Sequence, residues 1–191
     1  MRILIACECS GIVRDAFIQR GHDATSCDLK PTRRLGPHYQ GDVRDILHMS
    51  WDMMIAHPVC KIMANSGVRW LHERPERWKL LEEGCAFFKL FIDAAHIPKR
   101  CVENSIMHGH ARKLIGRKWD QIIQPWWFGA PFTKAAELHL IGLPKLPQER
   151  TKDSYDHIEP KCWKMAPSAD REELRSNTEP EVARAMAEYW G

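Results

Sequence analysis

The chain lacks an apolar run long enough to cross a membrane, since even the stretches at 3–6 and 53–56 are only strand-sized. No basic-then-apolar leader precedes the first strand, and the seven cysteines include no CxxC pair. Both absences point to a reduced, cytoplasmic protein with no membrane association. Metal is not expected, because Cys7-x-Cys9 and His108-x-His110 have no second ligand pair at useful spacing. A formal charge of +3 is too small to announce a nucleic-acid partner. Internal repeats and low-complexity tracts are absent. At 191 residues, two domains of ordinary size would be cramped, so one domain over 1–191 is expected.

What is present reads as alternating strands and helices. Residues 2–7 form a β-branched apolar strand, CECSG (7–11) a tight polar turn, and 12–20 a helix with Val13, Ala16 and Phe17 on one face. Gly21 stops that helix, and 23–27 lead through a second strand into Asp28. A carboxylate there can accept both hydroxyls of a ribose, although Asp28 and Glu8 also suit ordinary turns. With one glycine, CECSG is not the dinucleotide pattern GxGxxG and favours a nucleoside-bearing cofactor without a pyrophosphate. Residues 31–40 read as loop. In GDVRDIL, Asp42 suits either a cofactor base or the cap of the turn at 44–47.

The strand at 53–56 opens into a loop where Pro58 presents Cys60. In an open α/β sheet, ligands bind beyond the carboxyl ends of the strands, so Cys60 reads either as a working thiol or as a small buried hydrophobe. A helix over 75–95 follows, with Trp78, Leu81, Cys85, Phe88 and Ile92 at helical intervals, then a strand at 100–102 ending in Glu103 and Asn104, and a helix at 107–115. In a parallel sheet, Glu103 and Asn104 share a rim with Cys60. Residues 121–143 read as β, 145–169 as an extended and mobile surface loop, and 176–191 as a closing helix capped by Asn177 or Thr178, with Pro180 in its first turn. Lys30, Arg33 and Arg34 cluster in one loop. Arg69, Arg74, Arg77 and Lys79 interleave with Trp70 and Trp78, which suits phosphates and unstacked bases, or else a solvated helix with its tryptophans turned inward.

Taken in order, these pieces resemble the cytosine-5 DNA methyltransferases, and more closely the short, single-domain, phage-type members of that superfamily. CECSG and its helix resemble the family's cofactor turn, which implicates Cys9, Ser10 and Gly11. Asp28 stands where the ribose-binding acid does, and GDV with Asp42 resembles the third motif. HPVC, with Pro58 and Cys60, resembles the Pro-Pro-Cys loop, and VENS, with Glu103 and Asn104, the Glu-Asn motif. FGAPFTK resembles the Gly-x-Pro-Gln-x-Arg segment and assigns a catalytic position to Lys134. SNTEPEVARAMA resembles the closing Gly-Asn-Ser motif and implicates Asn177. There are departures: Val59 replaces the second proline, Phe132 the glutamine, Lys134 and Ala136 the two arginines, and a separate target-recognition domain has no room.

The resemblance implies an α/β, Rossmann-like S-adenosylmethionine-dependent methyltransferase fold, a mostly parallel sheet with helices on both faces. It implies S-adenosylmethionine as cofactor and cytosine, in DNA or as a nucleotide, as substrate. Cys60 would attack carbon 6 to activate carbon 5, and Glu103 would offset the charge growing toward ring nitrogen 3. The alternative is a methyltransferase-like protein without chemistry that binds nucleic acid, a nucleotide or a host protein.

Overall fold

Arg2–Ala6 (β1) is sealed from Ile3 onward, and its alternate side chains feed two separate cores. Ile3 and Ile5 join Val13 and Phe17 of Ile12–Gln19 (α1), while Leu4 and Ala6 join the opposite core. A computed structural model describes residues 1–160 and 175–191. In chain order the further elements are Asp23–Asp28 (β2), His38–Gln40 (β3), Arg44–Leu47 (α2), Met53–Ala56 (β4), Arg69–Glu73 (α3), Arg77–Ile92 (α4), Lys99–Ser105 (β5), Gly109–Ile115 (α5), Gln121–Ile123 (β6), Ala136–Ile141 (β7) and Pro180–Trp190 (α6).

The seven strands form one sheet in the order β3-β2-β1-β4-β5-β7-β6. β1 pairs in parallel with β2 and β4, and β4 with β5, whereas β7 runs antiparallel to both its neighbours. α1 and α6 cover one face through Val13, Phe17, Val182, Ala183, Met186 and Trp190. α4 and α5 cover the other through Leu81, Cys85, Phe88, Phe91, Ala111 and Ile115. This is the expected α/β, Rossmann-like arrangement. The chain leaves β1 for β2 on one side and returns to β4 on the other. The crevice between the carboxyl ends of β1 and β4 is therefore the topological switch point.

Several boundaries and two assignments differ from the expectations. Residues 38–40 are a strand, because His38–Gln40 pairs with Ser26–Asp28, although Gly36 and Pro37 break the pattern just before it. The long helix starts at Arg77 and ends at Ile92, and it buries Phe91 where Ile92 was expected. The β-like stretch 121–143 is two strands separated by a 3-10 turn at Pro125–Trp127. Neither Asn177 nor Thr178 caps the closing helix: its N-cap is Glu179, without a side-chain bond, and Pro180 takes the first position as expected.

Of the loop expected over 145–169, residues 161–169 lie outside the described residues. The described part is irregular but tied down: Arg150 N donates to Trp127 O (3.0 Å), Tyr155 Oη to Trp126 O (2.6 Å), and Glu159 N to Pro131 O (2.9 Å). Among the described residues no helix is long and apolar enough to cross a membrane.

Candidate active site

β4 is buried throughout and delivers the chain into the loop His57, Pro58, Val59, Cys60. Its pairing with β1 continues one residue past the strand, where His57 N donates to Ala6 O at 2.9 Å. Pro58 is buried, Val59 is 70% exposed and Cys60 is half-buried. Immediately after the thiol the backbone winds into a turn, as Cys60 O accepts from Met63 N (3.0 Å) and Ala64 N (2.8 Å).

That turn is zipped to the segment following β5. Asn65 N donates to Ile106 O (2.8 Å), His108 N donates to Met63 O (3.0 Å), and Ala64 and Met107 form a bridge. The loop carrying the thiol and the strand carrying the acid are thus held together by backbone bonds, whose geometry does not depend on side-chain rotamers.

Glu103 lies alongside His57 because β4 and β5 pair in parallel with Ala56 opposite Val102. The His57 ring stands against it, Nδ1 3.0 Å from Glu103 Oε2, with side-chain exposures of 8% and 23%. His57 Nε2 is buried without a partner among the described residues. His57 was not singled out from sequence. The signal was its place directly after an apolar strand on the rim that carries Cys60.

Asn104, the next residue, is 1% exposed and projects into the opposite core, as strand alternation requires. Neither of its amide atoms has a partner among the described residues. Opposite it in register stands Glu137, fully buried, accepting from Met107 N (3.2 Å) and Arg112 Nη2 (3.0 Å). Burial pushes the Glu137 carboxyl up from its ordinary value, against the lowering effect of those bonds.

On the other side of the switch point, Cys7 adopts φ +58°, turning the chain sharply out of β1. Glu8, 6% exposed, closes the turn onto the start of α1, whose N-cap is Gly11: its Oε1 accepts from Ile12 N (3.0 Å) and from the Ser10 hydroxyl, which also accepts from Ile12 N (3.2 Å). Ser10 is therefore engaged within the turn. Gly11 has φ +75°, and a Cβ there would meet Arg14 Nη2 at 2.6 Å, so its glycine serves the turn itself.

Asp28 is half-buried at the end of β2, with Oδ1 accepting from Lys30 N (2.9 Å). Its other oxygen makes no hydrogen bond among the described residues. β2 pairs in parallel with β1, Ala6 opposite Cys27, which sets Asp28 beside the first turn; burial first, and then the charge of Asp28, push the Cys7 and Cys9 thiols up. Asp42 gives both oxygens to Arg44, to its N (2.9 Å) and Nη1 (2.8 Å), and those bonds hold its carboxyl below the ordinary range. Asp42 thus braces the turn into α2, whose N-cap is Val43.

Asn177 is brought to the first turn from far along the chain: Arg33 donates to Asn177 Oδ1 (3.3 Å) and to Cys9 Sγ (3.6 Å). Lys134 joins this group, its Nζ donating to Asn177 O and lying 3.4 Å from Glu179 Oε1. The sequence-derived residues thus fall into two neighbourhoods. His57 and Glu103, with Cys60 on the loop that His57 begins, form one, and Cys9, Asp28, Arg33, Asn177 and Lys134 the other.

Beyond the thiol loop, Arg69 and Arg74 stack on Trp70 at 4.3 and 5.0 Å from the ring centroid, and Trp78 meets His110 edge-on at 4.9 Å. Both tryptophans are half-buried rather than sealed in the core.

No family model matches the chain, and no curated protein matches it significantly. Among solved structures, it is similar to a prophage-encoded E. coli protein described as a DNA modification methyltransferase, at 15% identity and a TM-score of 0.44, over 71% of this chain and 44% of that one. It is also similar to a Spodoptera frugiperda DNMT2 mutant, at 12% identity and a TM-score of 0.39, over 83% of this chain and 55% of that one. The chain spans about half the length of these structures.

Proposed function

We propose that the protein is an S-adenosylmethionine-dependent methyltransferase acting on carbon 5 of cytosine through Cys60, in DNA, as a single strand or flipped from a duplex, or in a free nucleotide. The observation that supports this reading is the backbone zip between residues 63–65 and 106–108, which ties the loop after Cys60 to the segment after Glu103. Asp28, one carboxylate oxygen of which makes no hydrogen bond among the described residues, is suited to ribose hydroxyls, and Arg33 joins Cys9 of the first turn to Asn177. When bound, S-adenosylmethionine supplies an electrophilic methyl group on a sulfonium.

The residues divide the remaining work. The Cys60 thiolate bonds to carbon 6, the ring π electrons shift toward nitrogen 3, and a proton from Glu103 neutralises the charge there. Carbon 5 is then an enamine carbon that can take up a methyl group. Loss of the carbon 5 proton to solvent, expulsion of the thiolate and return of the nitrogen 3 proton to Glu103 restore the neutral aromatic ring and free both residues. A cytosine within a duplex must first leave the stack, at a cost of a few kcal/mol.

An oligonucleotide carrying 5-fluorocytosine tests this, because fluorine blocks proton loss from carbon 5. Incubation with S-adenosylmethionine should trap an adduct whose mass maps to Cys60, and C60S should form none. Methyl transfer without an adduct would exclude the mechanism. A second reading, a methyltransferase-like binding protein without chemistry, is favoured by Val59, exposed and free of the proline restraint one residue before the thiol. Calorimetry separates the two, since that reading predicts no heat on titration with S-adenosylmethionine.

A further inference from the structure

We propose that His57 is a positioning residue for this chemistry, clamping the start of the Cys60 loop to Glu103 and orienting that carboxyl toward the substrate base. The inference rests on the cytosine-5 reading above. His57 ties three neighbouring strands together beside the switch point. It follows β4, its backbone N is bonded to Ala6 O of β1 at 2.9 Å, and its ring Nδ1 lies 3.0 Å from Glu103 Oε2 of β5. The ring is 8% exposed and its Nε2 has no partner among the described residues. Holding an imidazole inward with one nitrogen unpaired is unfavourable, and the carboxylate is the side-chain contact that offsets it.

Two consequences follow from the geometry. With Oε2 occupied by the ring, Glu103 keeps Oε1 without a hydrogen bond among the described residues, available to a base. Cys60 lies three residues beyond the clamp, past a Val59 that supplies no ring to stiffen the approach. Pinning His57 therefore limits where the thiol can stand relative to the acid, and one contact orients both groups.

The rate of Cys60 adduct formation with the 5-fluorocytosine oligonucleotide, the affinity for that oligonucleotide, and thermal melting decide the matter. H57L should slow the adduct by about tenfold or more while affinity moves less than about threefold, the signature of lost orientation rather than lost binding. H57N, whose amide nitrogen can occupy the Nδ1 position, should recover the rate to within about threefold of the wild type. H57L/E103Q should be no slower than E103Q, as expected when one residue acts through the other. If H57L melts below the assay temperature, H57Q replaces it, because its amide reaches the Nε2 position and should remain slow.

A wild-type rate in H57L, an H57N as slow as H57L, or a double variant slower than E103Q would overturn the inference. If the wild type itself forms no adduct, the cysteine reading fails and takes this one with it, an outcome distinct from a fault confined to the His57 variants.

Discussion

His139 stands in β7 at 1% exposure, its ring edge-on to Phe88 with centroids 5.0 Å apart and neither nitrogen bonded among the described residues. Burial, with help from Arg117, lowers its pKa from 6.5 to about 4, against the opposing charge of Asp120. The folded value lies below the unfolded one. The stability linked to the neutral ring is therefore complete above pH 6.5 and is lost as pH falls through about 4. Over that window the loss should be about 3 kcal/mol. H139L, which keeps an apolar side chain against Phe88, should flatten the acid limb of stability between pH 7 and 5, as read by urea unfolding. A limb as steep as that of the wild type would show that His139 is not its source. The same burial raises the Cys85 thiol to about 11 and the Cys27 thiol to about 12 and keeps them protonated, whereas Cys60 stands half-buried on the rim.

At the scale of elements, α1 and the loop between β2 and β3 depend on Arg14, which is fully buried. Its guanidinium meets Asp15 at 2.8 Å and donates to Ser26 Oγ (3.3 Å), Thr32 Oγ1 (3.1 Å), Arg34 O (3.1 Å) and Leu35 O (3.2 Å). Gly36, at φ +151°, leaves it room, because a Cβ there would meet Arg14 Cζ at 2.7 Å. R14M should cost about 2–4 kcal/mol by leaving those acceptors unpaired. It should also speed amide hydrogen exchange over residues 32–37. R14K should not restore either property, since an ammonium cannot reproduce the planar fork. Unchanged exchange in that loop would refute the role. The helical spacing of Val13, Ala16 and Phe17 was legible in the sequence, but Arg14, between two core positions, carried no local sign that a loop would fold over it.

For the whole molecule, the two cores lie on opposite sides of the sheet, and the switch point falls between the carboxyl ends of β1 and β4. If Asp28 and the first turn hold S-adenosylmethionine, the ligand at a hundred times its Kd should add about 2.7 kcal/mol of stability. For a chain of this size that corresponds to a rise of roughly 5–10 °C in Tm. D28A should abolish the rise while leaving the Tm of the free protein within a degree or two, about the change expected of a partly exposed side chain. No rise in the wild type would count against the cofactor assignment.

The strand at 53–56, the βαβ start and the placement of Asp28 at the end of a strand could be read from sequence alone. Each rests on periodicity and turn chemistry that act within a dozen residues. Glu103, expected at the end of a strand over 100–102, instead stands inside β5, which runs on to Ser105 because β7 pairs with it there. Tertiary structure alone decided how these pieces meet. His57 reaches Glu103 across 46 residues, and Arg33 reaches Asn177 across 144. Asn104 turns away from its neighbour Glu103 into the opposite core, and residues 38–40 become a strand because Ser26, Cys27 and Asp28 offer an edge to pair with. Such contacts depend on strand order and register, which are settled by packing the two faces of the sheet and leave no periodic trace in the chain.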